Sequence, residues 1–215
     1  MEKENYKGIY NRFIKRVIDF TVALVLFIIT LPLFIIISII IAIDSGFPIF
    51  YKPLRDGYHN KPFHIYKFRT MVKDADKGDG TTALNDPRIT RAGKVLRKLK
   101  LDEIPQLINV LNSTMSFIGP RPELLKYTQQ YTGEEKLILE VRPGITDFSS
   151  IEFINLDEIV GEENPDEMYE KYVLKDKNRW RVKYAKEVSV KTDAQLFFKT
   201  FWHVGKKAAR VLTHK

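Results

Sequence analysis

One long apolar stretch sets the strongest limit on how this chain can fold. The residues from Phe20 to Ile43 include no charged side chain, and Pro32 lies near the middle of the stretch. As one straight helix the stretch would be about 36 Å long, enough to cross a bilayer. The stretch is too long and too uniformly apolar for a buried core helix. It also differs from a signal peptide, because no cleavage site with small residues follows it. The chain is therefore predicted to associate with a membrane.

Pro32 predicts how the stretch meets the bilayer. It divides the stretch into halves of about 18 Å, each reaching only about halfway through the hydrocarbon. Both flanks are basic, so the positive-inside rule allows both ends to lie on one side; the basic residues are Lys7, Arg12, Lys15, Arg16, Lys52, Arg55, Lys61, Lys67 and Arg69. We predict a helix-break-helix hairpin that enters and leaves by one face, with the Thr30 hydroxyl bonding backbone groups freed at Pro32. A kinked transmembrane helix is the alternative.

An adjacent acid pair, Asp102 and Glu103, is the first candidate for chemistry. Pro105 follows closely, as proline does in a first helical turn, and apolar residues then recur at helical spacing at Leu107, Ile108 and Leu111. The pair is thus predicted to lie at a helix start, where the helix dipole favours an ionised carboxylate by roughly 0.3–1 kcal/mol. A charged carboxylate at that position suits a nucleophile. A simple N-cap role for Asp102 is the alternative.

Basic residues surround the acid pair in sequence. Those upstream are Arg88, Arg91, Lys94, Arg97, Lys98 and Lys100. Downstream, the segment Gly119-Pro120-Arg121-Pro122 places a proline on each side of Arg121, so that its planar guanidinium is oriented in advance to meet a phosphate or a pyrimidine edge. This combination suits a substrate with two phosphates. A solvated basic helix face is the ordinary alternative for the upstream run.

The composition agrees with a single domain at a membrane surface. The net charge of +8 and pI near 9.4 suit anionic headgroups, phosphorylated substrates or nucleic acid, among which charge alone does not choose. The absence of cysteine rules out disulfides and thiolate metal sites and is compatible with a reducing compartment. Residues 48–71 are predicted to form a short hairpin. A C-terminal helix has an apolar stripe that could lie in the lipid interface or pack in the core; the stripe is Phe197, Phe201, Val204, Ala208 and Val211.

Five motifs in one order closely resemble the bacterial sugar transferases, in their minimal single-domain form. They are the hydrophobic hairpin with its central proline, Lys67-Phe68-Arg69-Thr70-Met71, Asp86-Pro87-Arg88-Ile89-Thr90, the acid-pair segment 98–122 and Arg142-Pro143-Gly144-Ile145-Thr146. Members of this family are monotopic phosphoglycosyl transferases, which move a sugar-1-phosphate from a nucleotide sugar onto a polyprenyl phosphate. The resemblance implies a helix-rich α/β membrane-associated fold with few short strands. It also implies three parts: a basic segment (1–16), a re-entrant hairpin broken at Pro32 (17–47) and a catalytic domain with an amphipathic C-terminal helix (48–215).

The resemblance also implies roles for individual residues. Asp102 would attack the β-phosphate of a UDP-sugar, expel UMP and hold a covalent phospho-sugar, while Glu103 would lie near the metal. The expected ion is Mg²⁺, held by Asp102 and Glu103. The residues implied to bind substrate are Arg69, Arg88, Arg97, Pro120, Arg121 and Pro122.

The expected partners and location follow from the same resemblance. They are a UDP-sugar, a polyprenyl phosphate such as undecaprenyl phosphate, anionic lipid headgroups and downstream glycosyltransferases of a cell-surface glycan pathway, with no nucleic acid. The catalytic domain would lie on the cytoplasmic face of a bacterial inner membrane. Three alternatives remain open: direct transfer in a ternary complex, a non-catalytic basic binding module, and a scaffold anchored by one spanning helix.

Overall fold

The fold is dominated by helices, as the sequence predicts. The computed structural model of the protein describes residues 4–75, 86–161 and 164–213. Across these ranges there are nine α-helices: α1 Lys15–Ser45, α2 Arg91–Lys98, α3 Gln106–Leu111, α4 Leu125–Thr128, α5 Phe148–Glu152, α6 Leu156–Val160, α7 Pro165–Tyr172, α8 Leu174–Glu187 and α9 Val190–Thr213. The strands are short and pair only two at a time.

The segment after α1 folds into the predicted hairpin. Its strands are β1 Phe50–Tyr51, β2 Leu54–Arg55, β3 Phe63–His64 and β4 Lys67–Phe68. β1 pairs with β4 and β2 with β3, both antiparallel. Pro53 lies between the first two strands, and because proline has no N–H to give to a ladder, the hairpin is split into two short pairs.

α1 corrects part of the prediction for the apolar stretch. The helix runs without interruption from Lys15 to Ser45 through Pro32, rather than as two helices separated by a break. Proline removes a single backbone donor, so the remaining backbone hydrogen bonds can maintain the helix on both sides of Pro32. The Thr30 hydroxyl donates to the carbonyl of Leu26 at 2.7 Å. The Thr30 hydroxyl therefore does not bond the carbonyl of Ile28, whose usual donor would be the N–H that Pro32 lacks. A hydrogen bond from a threonine hydroxyl to the carbonyl four residues back tends to bend a helix.

Both halves of α1 pack against the same globular body. In the first half Ala23 is buried in a cluster that contains Leu107 of α3. In the second half Ile37 is buried in a cluster with Phe68 of β4 and Leu96 of α2. The helix is thus attached along its length instead of projecting from one end.

The opposite side of α1 is apolar and exposed. Among the described residues, the helical segment Tyr10–Ser45 is the one whose length and composition would allow it to cross a membrane. Its exposed side chains include Ile28, Ile29, Ile36, Ile39 and Ile43. Because exposed apolar surface of this extent is unfavourable in water, the structure is compatible with membrane association of α1.

Two further strands pair within the third quarter of the chain. β5 Ser116–Ile118 pairs in parallel with β6 Gly144–Thr146. Directly after β5, a Cβ on Gly119 would lie 2.3 Å from the Arg142 carbonyl oxygen, and one on Gly144 would lie 2.1 Å from the Gly119 nitrogen. Only glycine fits at both positions. The contact brings the arginine turn (Gly119–Pro122) against the segment that begins at Arg142.

The C-terminal helices cover this pair of strands. Leu196 of α9 is fully buried, and Phe197 packs partly against the same cluster. Phe201, expected on the same apolar stripe, is exposed, as are Phe198 and Trp202. The start of α9 is therefore a core helix, while its aromatic residues farther along face outward. The side chains of the remaining stripe residues lie outside those that the structure describes: Val204, Ala208 and Val211.

Candidate active site

The acid pair lies where the sequence predicts, at a helix start. Asp102 and Glu103 belong to a 3-10 turn, Leu101–Glu103, between α2 and α3. Pro105 comes directly before the first residue of α3. The turn is held against β4, which brings the acid pair close to the hairpin.

Asp102 is buried but not used as a cap. The residue is 8% exposed, and its Oδ1 atom has no hydrogen-bond partner among the described residues. No side chain in the described parts of the chain caps the start of α3, so the simple N-cap alternative does not describe Asp102. Burial raises the pKa of the Asp102 carboxyl, while Lys67 opposes the rise. The expected stabilisation of the carboxylate by the helix dipole is outweighed by this loss of water.

Glu103 is held by two cations. Arg121 donates from Nη1 to Oε2 at 3.3 Å and from Nη2 to Oε1, and Lys67 Nζ lies 3.3 Å from Oε1. Burial by itself would raise the pKa of Glu103, but the charges of Arg121 and Lys67 outweigh it and hold that pKa far below its ordinary value. Glu103 is therefore an ionised carboxylate with a fixed orientation.

Arg121 is fixed at both its side chain and its backbone. Its Nη1 also donates to the carbonyl of Ile145 at 2.8 Å, and its backbone N–H donates to Asp147 Oδ2 at 3.3 Å. Burial alone would lower the pKa of Arg121, but Glu103 raises it. Of the flanking prolines, Pro120 is buried and Pro122 is half-buried. The turn is thus fixed by contacts with the segment after β6 as well as by its prolines.

Lys67 is a site residue that the sequence reasoning did not select. It appeared there only within a motif and among the basic flanks of the apolar stretch. β4 brings it to Glu103, and burial lowers its pKa although Glu103 raises it. The one signal for it was its place at the start of the Lys67-Phe68-Arg69-Thr70-Met71 motif.

Two of the arginines predicted to bind substrate have protein partners. Arg69 is 6% exposed. Its Nη2 donates to the carbonyls of Ser45 at 2.8 Å and Gly46 at 2.6 Å, and these hydrogen bonds cap the end of α1. The Nε and Nη1 atoms of Arg69 have no partner among the described residues. Arg88 binds Asp86 through Nε at 2.9 Å and Nη2 at 2.6 Å. Their roles in substrate binding stay predictions.

Arg97 and the arginine turn lie closer to the acid pair. Arg97, in α2, is near enough for its charge to oppose the rise that burial causes in the pKa of Asp102. Arg121 contacts Glu103 directly. Of the arginines predicted to bind substrate, these two are therefore grouped with the acid pair.

The acid pair fits a magnesium ion that is shared with a substrate. No cluster of three or more histidine, cysteine or acidic residues occurs in the described parts of the chain. Mg²⁺ is commonly held by one or two carboxylates together with substrate phosphates, so such a cluster is not required. Asp102 offers an unpartnered carboxylate oxygen. Glu103 shares its oxygens with two cations and offers only its remaining lone pairs.

Fold and site together define a helix-rich, membrane-compatible domain with a carboxylate pair among lysine and arginine side chains. The family model described as bacterial sugar transferase matches residues 10–207. That range covers more than half of the chain and includes α1, the acid pair and the arginine turn. The chain therefore belongs to the bacterial sugar transferase family.

Three relatives show the extent of the similarity. A Bacillus subtilis (strain 168) protein named uncharacterized sugar transferase EpsL is 40% identical over 138 residues, 64% of this chain and 68% of the relative. The UDP-glucose:undecaprenyl-phosphate glucose-1-phosphate transferase of Escherichia coli (strain K12) is 35% identical over 194 residues, 88% of this chain and 40% of that protein. The UDP-N-acetylgalactosamine-undecaprenyl-phosphate N-acetylgalactosaminephosphotransferase of Aeromonas hydrophila is 38% identical over 65% of this chain and 34% of its own length.

Proposed function

We propose that this protein transfers a sugar-1-phosphate from a UDP-sugar to a polyprenyl phosphate such as undecaprenyl phosphate, giving a polyprenyl-diphospho-sugar and UMP. The observation that carries the proposal is the buried Asp102 carboxylate, with an unpartnered oxygen, next to a Glu103 held by Arg121 and Lys67. The names of the relatives from Escherichia coli and Aeromonas hydrophila support the general reaction. The product would begin a cell-surface glycan such as an exopolysaccharide.

Asp102 is proposed to act as the nucleophile in two successive displacements. One of its carboxylate oxygens attacks the β-phosphorus of the UDP-sugar, and the bond from that phosphorus to the bridging oxygen breaks, so that UMP leaves with the electron pair. The sugar phosphate is then attached to Asp102 as an acyl phosphate. An oxygen of the polyprenyl phosphate attacks the same phosphorus and releases the carboxylate. Direct attack by the lipid phosphate, with Asp102 as a base, is the alternative within the same reaction.

The surrounding cations address the main obstacle to this reaction. A carboxylate attacking a diphosphate brings two negative charges together, and cations in a partly dehydrated site reduce that repulsion more strongly than in water. Lys67 and Arg121 lie at the acid pair, and both also hold Glu103 in place. Their fixed positions mean that little reorganisation is needed when charge moves toward the departing UMP.

Asp102 and Glu103 are the residues proposed to hold Mg²⁺. A magnesium ion bound there would neutralise charge on the pyrophosphate oxygens and on the departing UMP.

α1 is proposed to place the site at the height of the lipid phosphate. The phosphate of a polyprenyl phosphate stays at the membrane interface, so the acid pair must lie there too. Both halves of α1 pack on one globular body, and this supports a helix that holds that body against the membrane along its length. The globular body would then lie on the cytoplasmic face, where UDP-sugars are made.

UMP release tests the proposed function. Detergent-solubilised protein would be incubated with Mg²⁺, undecaprenyl phosphate and a panel of UDP-sugars, and Asp102→Asn would be compared with wild type. Asp176→Asn, at an exposed site on α8, is the matched control. We expect release that depends on one or a few donors, persists in the control and is lost in Asp102→Asn. Absence of UMP release with every donor would contradict the proposal.

A further inference from the structure

Gln106, in α3, has a buried carboxamide that makes no hydrogen bond with the described residues. The residue is 1% exposed, and both its Oε1 and its Nε2 lack a partner there. A carboxamide can accept two hydrogen bonds and donate two, so burying one with none of them made is destabilising. Most buried side-chain polar atoms in folded proteins are bonded. The mechanism above gives Gln106 no role, and its unused groups are available to a ligand.

A second buried amide in the same helix shows the opposite behaviour. Asn109 is also 1% exposed. Its Oδ1 accepts from the backbone N–H of Tyr66 at 2.8 Å, and its Nδ2 donates to the His64 carbonyl at 2.8 Å and to the Thr114 hydroxyl at 3.1 Å. Asn109 therefore attaches α3 to the hairpin. Buried amides in α3 can thus find partners within the protein, and Gln106 does not.

The helical backbone places Gln106 next to Asp102. Ile104 and Pro105, which connect the 3-10 turn to α3, have right-handed helical φ and ψ angles, so residues 101–111 form one nearly continuous helical segment. Gln106 follows Asp102 by four residues, and residues at this spacing lie on the same side of a helix with their Cβ atoms about 5–6 Å apart. Asp102 Oδ1 is likewise buried and unpartnered. Two neighbouring side chains with unused polar atoms indicate one shared ligand.

We propose that Gln106 is a substrate-binding residue whose Nε2 donates a hydrogen bond to a non-bridging oxygen of the β-phosphate of the UDP-sugar. This inference rests on the proposed transferase function, in which an oxygen of Asp102 bonds to that phosphorus. The β-phosphate must therefore come within about one helical turn of Gln106, and its charged oxygens are strong acceptors for an N–H donor. A donor already held in place by burial needs little reorganisation when the phosphate arrives.

The test compares Gln106→Met with wild type and with Asn109→Leu. Each change replaces a buried amide in α3 with an apolar side chain of similar size. Calorimetry on the detergent-solubilised protein with Mg²⁺ measures Kd for UDP and for UMP, which lacks the β-phosphate. The midpoint of thermal unfolding without nucleotide reports the stability of each variant.

We expect Gln106→Met to raise Kd for UDP by about tenfold or more and to leave Kd for UMP unchanged. Its unfolding midpoint should be maintained or raised, because apolar atoms replace polar atoms that have no partner, whereas Asn109→Leu should lower the midpoint. An unchanged Kd for UDP in Gln106→Met, while wild type releases UMP from a UDP-sugar, would overturn the inference and leave the proposed function intact. Equal weakening of UDP and UMP would also overturn it, since UMP lacks the phosphate in question.

Gln106→Glu is a second variant, which keeps the shape of the side chain and replaces its donor with an anionic acceptor. Because a carboxylate repels phosphate, UDP should bind this variant more weakly than Gln106→Met. Tighter binding of UDP that depends on Mg²⁺ would show that the side chain contacts the cation instead, and would overturn the inference. If wild type binds no UDP and releases no UMP with any donor, the proposed function fails and this inference fails with it.

Discussion

Arg121 donates two hydrogen bonds to the carboxylate of Glu103, one from Nη1 to Oε2 at 3.3 Å and one from Nη2 to Oε1. The two residues are eighteen positions apart, so this bidentate pair joins the arginine turn to the acid pair. Lys67 binds the same carboxylate from β4. Three separate segments therefore meet at Glu103, and a change in any of them should be felt at the adjacent Asp102.

The Arg121–Glu103 pair should contribute a measurable coupling free energy. In a double-mutant cycle with Arg121→Gln and Glu103→Gln, we expect a coupling of about 1–3 kcal/mol in the free energy of unfolding, because the pair is bidentate and partly buried. The more exposed pair Lys126–Asp166 is the control and should give less than about 1 kcal/mol. A coupling near zero for Arg121 and Glu103 would show that they do not act as a unit.

Arg69 should stabilise the end of α1. Arg69→Met removes the hydrogen bonds to the carbonyls of Ser45 and Gly46, so we expect the free energy of unfolding to fall by about 1–3 kcal/mol. Arg179→Met, at an exposed position, should have little effect. The same variant tests the predicted substrate role of Arg69. KM for the UDP-sugar would rise only if its unpartnered Nε or Nη1 binds substrate.

Features encoded locally in the sequence were predictable. The apolar stretch, the short hairpin and the acid pair at a helix start each depend on neighbouring residues, and the structure contains all three. The pairing of β5 with β6 and the contact of Lys67 with Glu103 depend on residues that are distant in sequence, which a pattern of spacing does not encode. The break expected at Pro32 was wrong because the helix tolerates the loss of one backbone donor there.

The buried pair Glu123–Arg181 should make the protein sensitive to acid. Burial by itself would raise the pKa of Glu123, but the charges of Arg181 and Lys177 together outweigh it and lower that pKa in the folded protein. A lowered pKa adds stability above the ordinary value near 4.5 that is lost as the pH falls below it. We expect the thermal midpoint to drop as the pH falls from about 5 to about 3. The drop should be smaller in Glu123→Gln, and an equal drop in both proteins would refute this assignment.

Lys177 should make the protein more stable at alkaline pH. Burial lowers its pKa to about 8 in the folded protein, from 10.5 for an ordinary lysine. The unfolded chain then binds more protons between these values, so stability rises with pH across that window, by roughly 3 kcal/mol at most. Chemical unfolding at pH 7.5 and pH 10 would measure the change in wild type and in Lys177→Met. A rise of the same size in both would exclude Lys177 as its source.

The most direct test of the central claim, that Asp102 is the nucleophile, is the mass of the intact protein after incubation with its UDP-sugar and Mg²⁺ in the absence of a lipid acceptor. We expect the intact mass to increase by one sugar phosphate, and peptide mapping of the same sample to place that increase on the peptide that contains Asp102. It should be absent in Asp102→Asn and removed on addition of undecaprenyl phosphate. UMP release that needs the lipid acceptor and leaves the protein mass unchanged would contradict a covalent role for Asp102 and favour direct transfer.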